Sequence, residues 1–189
     1  MARPPEFDRS QALVSALHLF WEKGYDRTTV RDLTEAMGIS APSLYNAFGG
    51  KQELFDEAVA SYTGSPTRVV PPALRERTAR AVFAKMLEIA IREYASSTQP
   101  RGCFVISDPV LGDERQLGRD AIRLRLQQAY DDGDLPEDSS VDALTDFVDV
   151  VLRGLSSLAR DGADPDAMRA AADVALGAWP RSRRRTARS

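Results

Sequence analysis

Apolar residues recur three and four positions apart along nearly the whole chain, and no convincing period-2 stretch interrupts them. The pattern predicts an all-α protein. Between residues 8 and 23 the apolar set is Ala12, Leu13, Ala16, Leu17, Phe20 and Trp21, with Asp8 placed to cap the helix and Gly24 to end it. A short helix over 29–37 turns Val30, Leu33 and Ala36 inward and stops at Gly38. Ser40 caps a third over 41–48, which ends at Gly49-Gly50, and a fourth over 51–62 carries Leu54, Phe55 and Ala58. Pro66, Pro71 and Pro72 mark residues 64–72 as a linker.

Beyond the linker a long helix is predicted over 73–96, with Leu74, Val82, Phe83, Met86, Leu87, Ala90 and Tyr94 on one face. A turn at 98–102 leads into the apolar stretch 103–106, and Asp108-Pro109 reads as a cap followed by a first-turn proline. Three more helices follow over 114–132, 140–160 and 166–179. The expected organisation is an N-terminal unit over 6–66, a second helical domain over 67–180 and a basic, disordered tail over 181–189.

Composition narrows the function classes. The 189 residues are 43% hydrophobic and 28% charged, ordinary for a globular chain. The single cysteine, Cys103, excludes an intrachain disulfide and an all-cysteine metal site. The single histidine, His18, excludes any site built on two imidazoles. No metal or cofactor motif is present: Gly49-Gly50-Lys51 is not a phosphate loop, because Tyr45 stands where that motif needs its first glycine. Neither a leader peptide nor an 18-residue apolar run is legible, so a soluble, cytoplasmic protein without membrane contact is expected.

The formal net charge is −3, yet Arg181, Arg183, Arg184, Arg185 and Arg188 all follow Pro180 while every acidic residue precedes it. The body of the chain is therefore acidic. Nucleic-acid binding must come from a few placed groups, since no basic face exists. The arginine tail reads either as solvated chain or as a non-specific electrostatic arm.

Three short helices in the first fifty residues, with a tight Gly38-Ile39-Ser40 turn between the second and third, form a helix-turn-helix pattern. Leu33, Ile39 and Leu44 are spaced to meet beneath the turn. Within it, the run Gly24-Tyr25-Asp26-Arg27-Thr28-Thr29-Val30, then Leu33, Ala36-Met37-Gly38-Ile39-Ser40, Leu44-Tyr45, Phe48, Lys51 and Leu54-Phe55, resembles the TetR family of repressors. The likeness covers about residues 8–62, and the later two-thirds resemble that family's ligand-binding and dimerising region. Gly102-Cys103 and the Gly154-Leu155…Ala159-Arg160-Asp161-Gly162-Ala163 stretch are similar to a subgroup that includes electrophile-responsive members.

The resemblance implies a ligand-responsive repressor that binds a pseudo-palindromic operator as a homodimer. It makes Thr29, Tyr45 and Lys51 phosphate contacts and presents Ala41, Pro42, Ser43 and Asn46 to base edges, with Arg27 nearby. The chemistry agrees: helix N-termini favour phosphate, and the hydroxyls of Thr28, Thr29 and Ser40 lie beside two of them. Two departures stand out. Ala47 replaces the aromatic or histidine often found before Phe48, and no arginine lies on the recognition helix, so a guanine fork must come from Arg27. Ala41 and Pro42 suit thymine methyls and Asn46 suits adenine.

Phe83, Met86, Tyr94, Cys103, Phe104 and Tyr130 are the candidates for lining a cavity that takes a small hydrophobic or amphipathic effector; each also reads as plain core. Val141, Leu144, Val148, Val151, Leu155 and Leu158 step as a heptad seam, with Phe147, Val150 and Gly154 as a second edge. Met168, Ala172, Ala175 and Trp179 continue it on the last helix, and together these faces suit a four-helix dimer interface. Cys103, after Arg101-Gly102 at an expected helix start, reads as a thiol sensor or as packing. The alternatives from other classes are a helical interaction module without DNA binding and a cysteine-dependent enzyme.

Overall fold

The computed structural model describes residues 7–65 and 69–180, and within them every regular element is helical. The expected unit boundary at 66/67 and the arginine tail lie outside the described residues. Helix α1 (Arg9–Lys23) starts where the Asp8 carboxylate accepts from the amides of Ser10 and Gln11, and buries Ala12, Ala16, Phe20 and Trp21. It packs against α2 (Val30–Met37) and α4 (Lys51–Gly64), while α3 (Ala41–Phe48) crosses beyond the turn.

That turn depends on Gly38, whose φ of +66° lies in the left-handed region that a side chain disfavours. The following amide of Ile39 returns to the Thr34 carbonyl at 3.1 Å, closing the end of α2. Ser40 caps α3 through the amide of Ser43, and Pro42 sits in the first turn, where no intrahelical bond is lost. Leu33 and Leu44 are fully buried and Ile39 packs against them, which fixes the crossing of α2 and α3.

The predicted helix over 73–96 is two elements. Pro71 and Pro72 open a single turn, α5 (Val70–Ala73), and α6 (Ala79–Tyr94) begins only at the Thr78 cap. Arg125 explains the break, because it donates to the carbonyls of Leu74, Glu76 and Arg77 and so holds that backbone out of a helix. The Asp134 carboxylate also takes the Ala79 amide at 2.5 Å. Periodicity continued through this stretch, but tertiary hydrogen bonds overrode it.

Next come a one-turn helix, α7 (Phe104–Ser107), and a 3-10 turn at Pro109–Leu111. Asp108 caps the latter as expected, accepting from the amide of Val110. Three longer helices complete the chain: α8 (Gly112–Asp131), α9 (Val141–Arg160) and α10 (Pro165–Gly177). Helix α6 is the central element, packed against α9 and α10. Its Phe83 stacks on Trp179 with ring centroids 4.8 Å apart.

One continuous core joins the N-terminal helices to the rest. Trp21 of α1 and Phe55 and Tyr62 of α4 surround Phe104 of α7, with centroid separations of 6.0, 5.9 and 5.6 Å. Phe104 brings the later domain directly onto α1 and α4.

Gly102 lies beside this junction with φ +86°, and a Cβ there would fall 3.0 Å from the Ser156 carbonyl oxygen of α9. Only glycine lets the chain run this close to α9, where the Ser156 hydroxyl accepts from the Cys103 amide at 3.0 Å.

Candidate nucleic-acid interface

Helix α3 presents a compact outward face. Ala41, Pro42, Tyr45 and Asn46 are all exposed, whereas Leu44 and Phe48 anchor the opposite side in the core. Ser40 and Ser43 share a hydroxyl hydrogen bond at 2.9 Å, which holds both at the N-terminal end of that face. Tyr45 keeps 52% of its surface accessible, so its ring lies outside the core.

The groups expected to hold phosphates differ in their surroundings. The Lys51 ammonium lies 4.1 Å from the centroid of the Tyr25 ring, at the first residue of α4 and beside its uncapped N-terminus. The Tyr25 hydroxyl donates to Gln52 at 2.6 Å, so the ring under Lys51 is itself fixed.

Thr29 is exposed and forms a capping box with Asp32. Its amide and hydroxyl both donate to the Asp32 carboxylate, which also pairs with Lys23 at 2.9 Å. The Thr29 amide, then Lys23, then the Thr29 hydroxyl hold that carboxyl well below the ordinary range. A carboxylate thus occupies part of the α2 N-terminus, and helix geometry leaves the Val30 and Arg31 amides without an intrahelical partner.

Thr28 requires a correction. It is 1% exposed, and its hydroxyl donates inward to the Gly24 carbonyl at 2.8 Å, so it braces the loop and offers no donor to DNA. Arg27 is exposed, with its Nε bound to the Lys23 carbonyl at 2.7 Å, which fixes the side chain at the end of α1.

At the other end of α4, Tyr62 opens onto a cavity of about 80 Å³ between α4, α7, α8 and α9. Tyr94, Cys103, Val105, Ile122 and Leu152 line it, and Arg115, Arg119, Glu114 and Asp149 also reach its wall, where Arg119 pairs with Asp146 and Asp149 with Arg153. The Tyr62 hydroxyl donates to the Cys103 sulfur at 3.3 Å. Burial, reinforced by Cys103 and Tyr62 beside it, pushes the Tyr94 phenol well above its usual value, so it stays protonated.

Of the six expected lining residues, Tyr94 and Cys103 are at this cavity. Phe83 and Met86 are sealed in the core of α6, Phe104 is consumed by the junction cluster, and the Tyr130 hydroxyl donates to the Glu137 carbonyl. Arg101, expected beside the thiol, instead reaches the Ala163 carbonyl past the end of α9. Cys103, expected at a helix start, is the N-cap of the single turn α7.

Comparison with known proteins settles the family. The group described as bacterial regulatory proteins of the tetR family matches residues 12–58. Over 192 residues the chain is 31% identical to the HTH-type transcriptional repressor ComR of Escherichia coli strain K12, covering 94% of this chain and 91% of that protein. The chain belongs to the TetR family. Among solved structures, a cysteine variant of the TetR family regulator CifR, complexed with 26-bp operator DNA, superposes with a TM-score of 0.86 at 37% identity. It covers 94% of this chain and all of that one. This TetR-family member is accordingly a DNA-binding transcriptional regulator. The interaction-module and cysteine-enzyme readings are not favoured.

The seam expected to join two copies of this TetR-family chain divides on folding. Val148, Leu155, Met168, Ala172 and Trp179 are buried within the single chain, while Val141, Leu144, Phe147, Val151 and Ala175 are partly covered. Leu158 stays outward, together with Val150 and Gly154 of the second edge and Val174 of α10. The periodicity marked a face, but α6 and α8 pack against α9 within the single chain. Sequence reasoning also missed Tyr62, Arg115 and Arg119. Tyr62 stands seven residues after Phe55 on the same face of α4, and the two arginines precede Ile122 at helical spacing. That spacing was the available signal.

Proposed function

We propose that the chain is a dimeric repressor that places α3 in the major groove of a pseudo-palindromic operator and releases it when a small effector enters the cavity. The exposed face of α3 carries this reading: Ala41, Pro42 and Asn46 are free for base edges, with Tyr45 and Lys51 flanking them for the backbone. The second copy docks on the outward faces of α9 and α10. Val150, Gly154 and Leu158 continue there into Ala167, Ala171, Val174 and Ala178, all exposed in one chain.

The effector is a small hydrophobic or amphipathic molecule. The cavity is apolar along Val105, Ile122 and Leu152, offers hydrogen bonds at Tyr62 and Cys103, and carries charge only where Glu114, Arg115, Arg119 and Asp149 reach it. At about 80 Å³ it is below the roughly 300–1,000 Å³ of pockets for drug-sized ligands, so a larger molecule has to displace α4 or α8 to enter. Tyr62 and Lys51 stand eleven residues apart on one helix, roughly 17 Å at 1.5 Å per residue. A shift forced at Tyr62 therefore moves the phosphate-binding end, and the ligand weakens DNA binding through its preference for that arrangement.

Repeated binding selection from a random duplex pool, followed by footprinting, tests the function. Two half-sites related by a dyad are expected. Enrichment of no sequence, or of a single asymmetric site by a monomer, contradicts it.

A further inference from the structure

The loop between α7 and α8 ties the cavity wall to the DNA-contacting helices through one carboxylate. Asp108 is 3% exposed, and its two oxygens serve different parts of the molecule. Oδ1 accepts from the Val110 amide at 3.1 Å and caps the local turn. Oδ2 accepts from the Tyr25 amide at 2.7 Å, just past the end of α1. Capping the turn needs only the first oxygen. The second is spent 83 positions away in sequence, and it sits near a helix C-terminus, where a negative charge is disfavoured. A buried charge in that place calls for a reason beyond local capping.

Both sides of Asp108 lead onward. Arg115, on the cavity wall, donates from Nη1 to the carbonyls of Val105 and Asp108 at 2.8 and 2.6 Å, and from Nη2 to Pro109 at 3.1 Å. One guanidinium thus sets the loop that carries the carboxylate. On the other side, the Tyr25 ring lies beneath Lys51 and its hydroxyl holds Gln52. We propose that Asp108 is a positioning residue for DNA binding, linking Arg115 of the cavity wall through the Tyr25 amide to Lys51 at the start of α4. This rests on the repressor reading and adds to it a second connection beside α4 itself. A molecule that moves Arg115 is felt at Lys51 without moving Tyr62.

Asp108→Asn tests the link with little change in shape. An asparagine offers one acceptor oxygen, and its NH₂ group then faces one of the two amides. Arg115→Lys removes the fork from the three carbonyls and leaves the charge. The readouts are affinity for the selected duplex, site-resolved hydrogen exchange of the Tyr25 amide in the free protein, and thermal midpoint. Each variant is expected to bind the duplex at least about fivefold more weakly, with faster Tyr25 exchange. The double variant is expected to lose less than the product of the two, because both act through one link. Should Asp108→Asn fold poorly, Arg115→Lys carries the test alone, since it lies outside the DNA-contacting helices and must still accelerate Tyr25 exchange. A wild-type chain that enriches no duplex overturns the repressor reading beneath the proposal. A wild-type chain that binds, with both variants matching it and the Tyr25 amide exchanging at an unchanged rate, overturns the link alone.

Discussion

Tyr45 and Asn46 of α3 and Lys51 at the start of α4 are the proposed DNA contacts, and their chemistries predict different losses. A phenol and an ammonium read backbone phosphate, which carries no sequence information. Tyr45→Phe and Lys51→Ala should weaken all duplexes by similar factors, and Lys51→Ala should lower the salt dependence of binding by about one charge. Asn46→Ala should instead relax preference at one base position, by about 1–3 kcal/mol if the amide pairs with adenine. Binding measured against a panel of single-base variants separates the two behaviours; altered base preference in Lys51→Ala at unchanged affinity reverses the roles. Asp32 supports a second residue-scale prediction. Its folded pKa is depressed by the Thr29 amide, Lys23 and the Thr29 hydroxyl, so the capping box is intact above the ordinary carboxylate range and is lost only as pH falls below it. A carbon-detected NMR titration should find Asp32 still ionised where other carboxyls have protonated, and Thr29→Val should bring its midpoint up. An ordinary midpoint in the wild-type chain would count against the box.

Two glycines with positive φ mark the difference between elements that sequence predicts and contacts that it does not. Gly38 ends α2 in the helix-turn-helix, and a Cβ there meets nothing within 4 Å. Gly38→Ala should therefore cost only the left-handed backbone penalty, about 1–2 kcal/mol in urea denaturation. Gly102 adds overlap with the Ser156 carbonyl and with Arg160, so Gly102→Ala should cost clearly more. Equal losses would show that α9 yields at this point. The helix-turn-helix was legible because its turn, buried leucines and most of its caps are local: Asp8, Gly38 and Ser40 lie within a few residues of the helix ends they serve, although Thr29, read as the first residue of α2, is its cap. The break before α6 was not, since it depends on Arg125 and Asp134, some fifty residues away. For the same reason spacing did not separate Tyr94 and Cys103, which line the cavity, from Phe83, Met86, Phe104 and Tyr130, which do not. Aromatic side chains at helical spacing look alike whether they seal a junction, as Phe104 does, or line a space, as Tyr94 does.

At the scale of the whole molecule, the amphipathic pattern of α9 and α10 contains two faces whose order only folding reveals. The inner one is buried within the single chain at Val148, Leu155, Met168 and Trp179, and the outer one leaves Val150 at 65% and Val174 at 75% exposure. A charge introduced on the outer face is solvated in a single chain and costs it little, within about 0.5 kcal/mol. In a two-fold dimer built on this face the same charge is buried against the partner's copy of the same apolar patch, and the symmetry places it there twice. Val150→Arg and Val174→Arg should thus leave helicity and urea unfolding of the protomer intact while shifting sizing with light scattering from dimer to monomer. Operator affinity should fall with them, since a lone α3 reads one half-site. Met168→Arg, which buries an unpaired charge, should instead destabilise the protomer outright. Dimers that persist in both outer-face variants would move the interface elsewhere, with the exposed Leu117 and Leu124 of α8 as the next face to test.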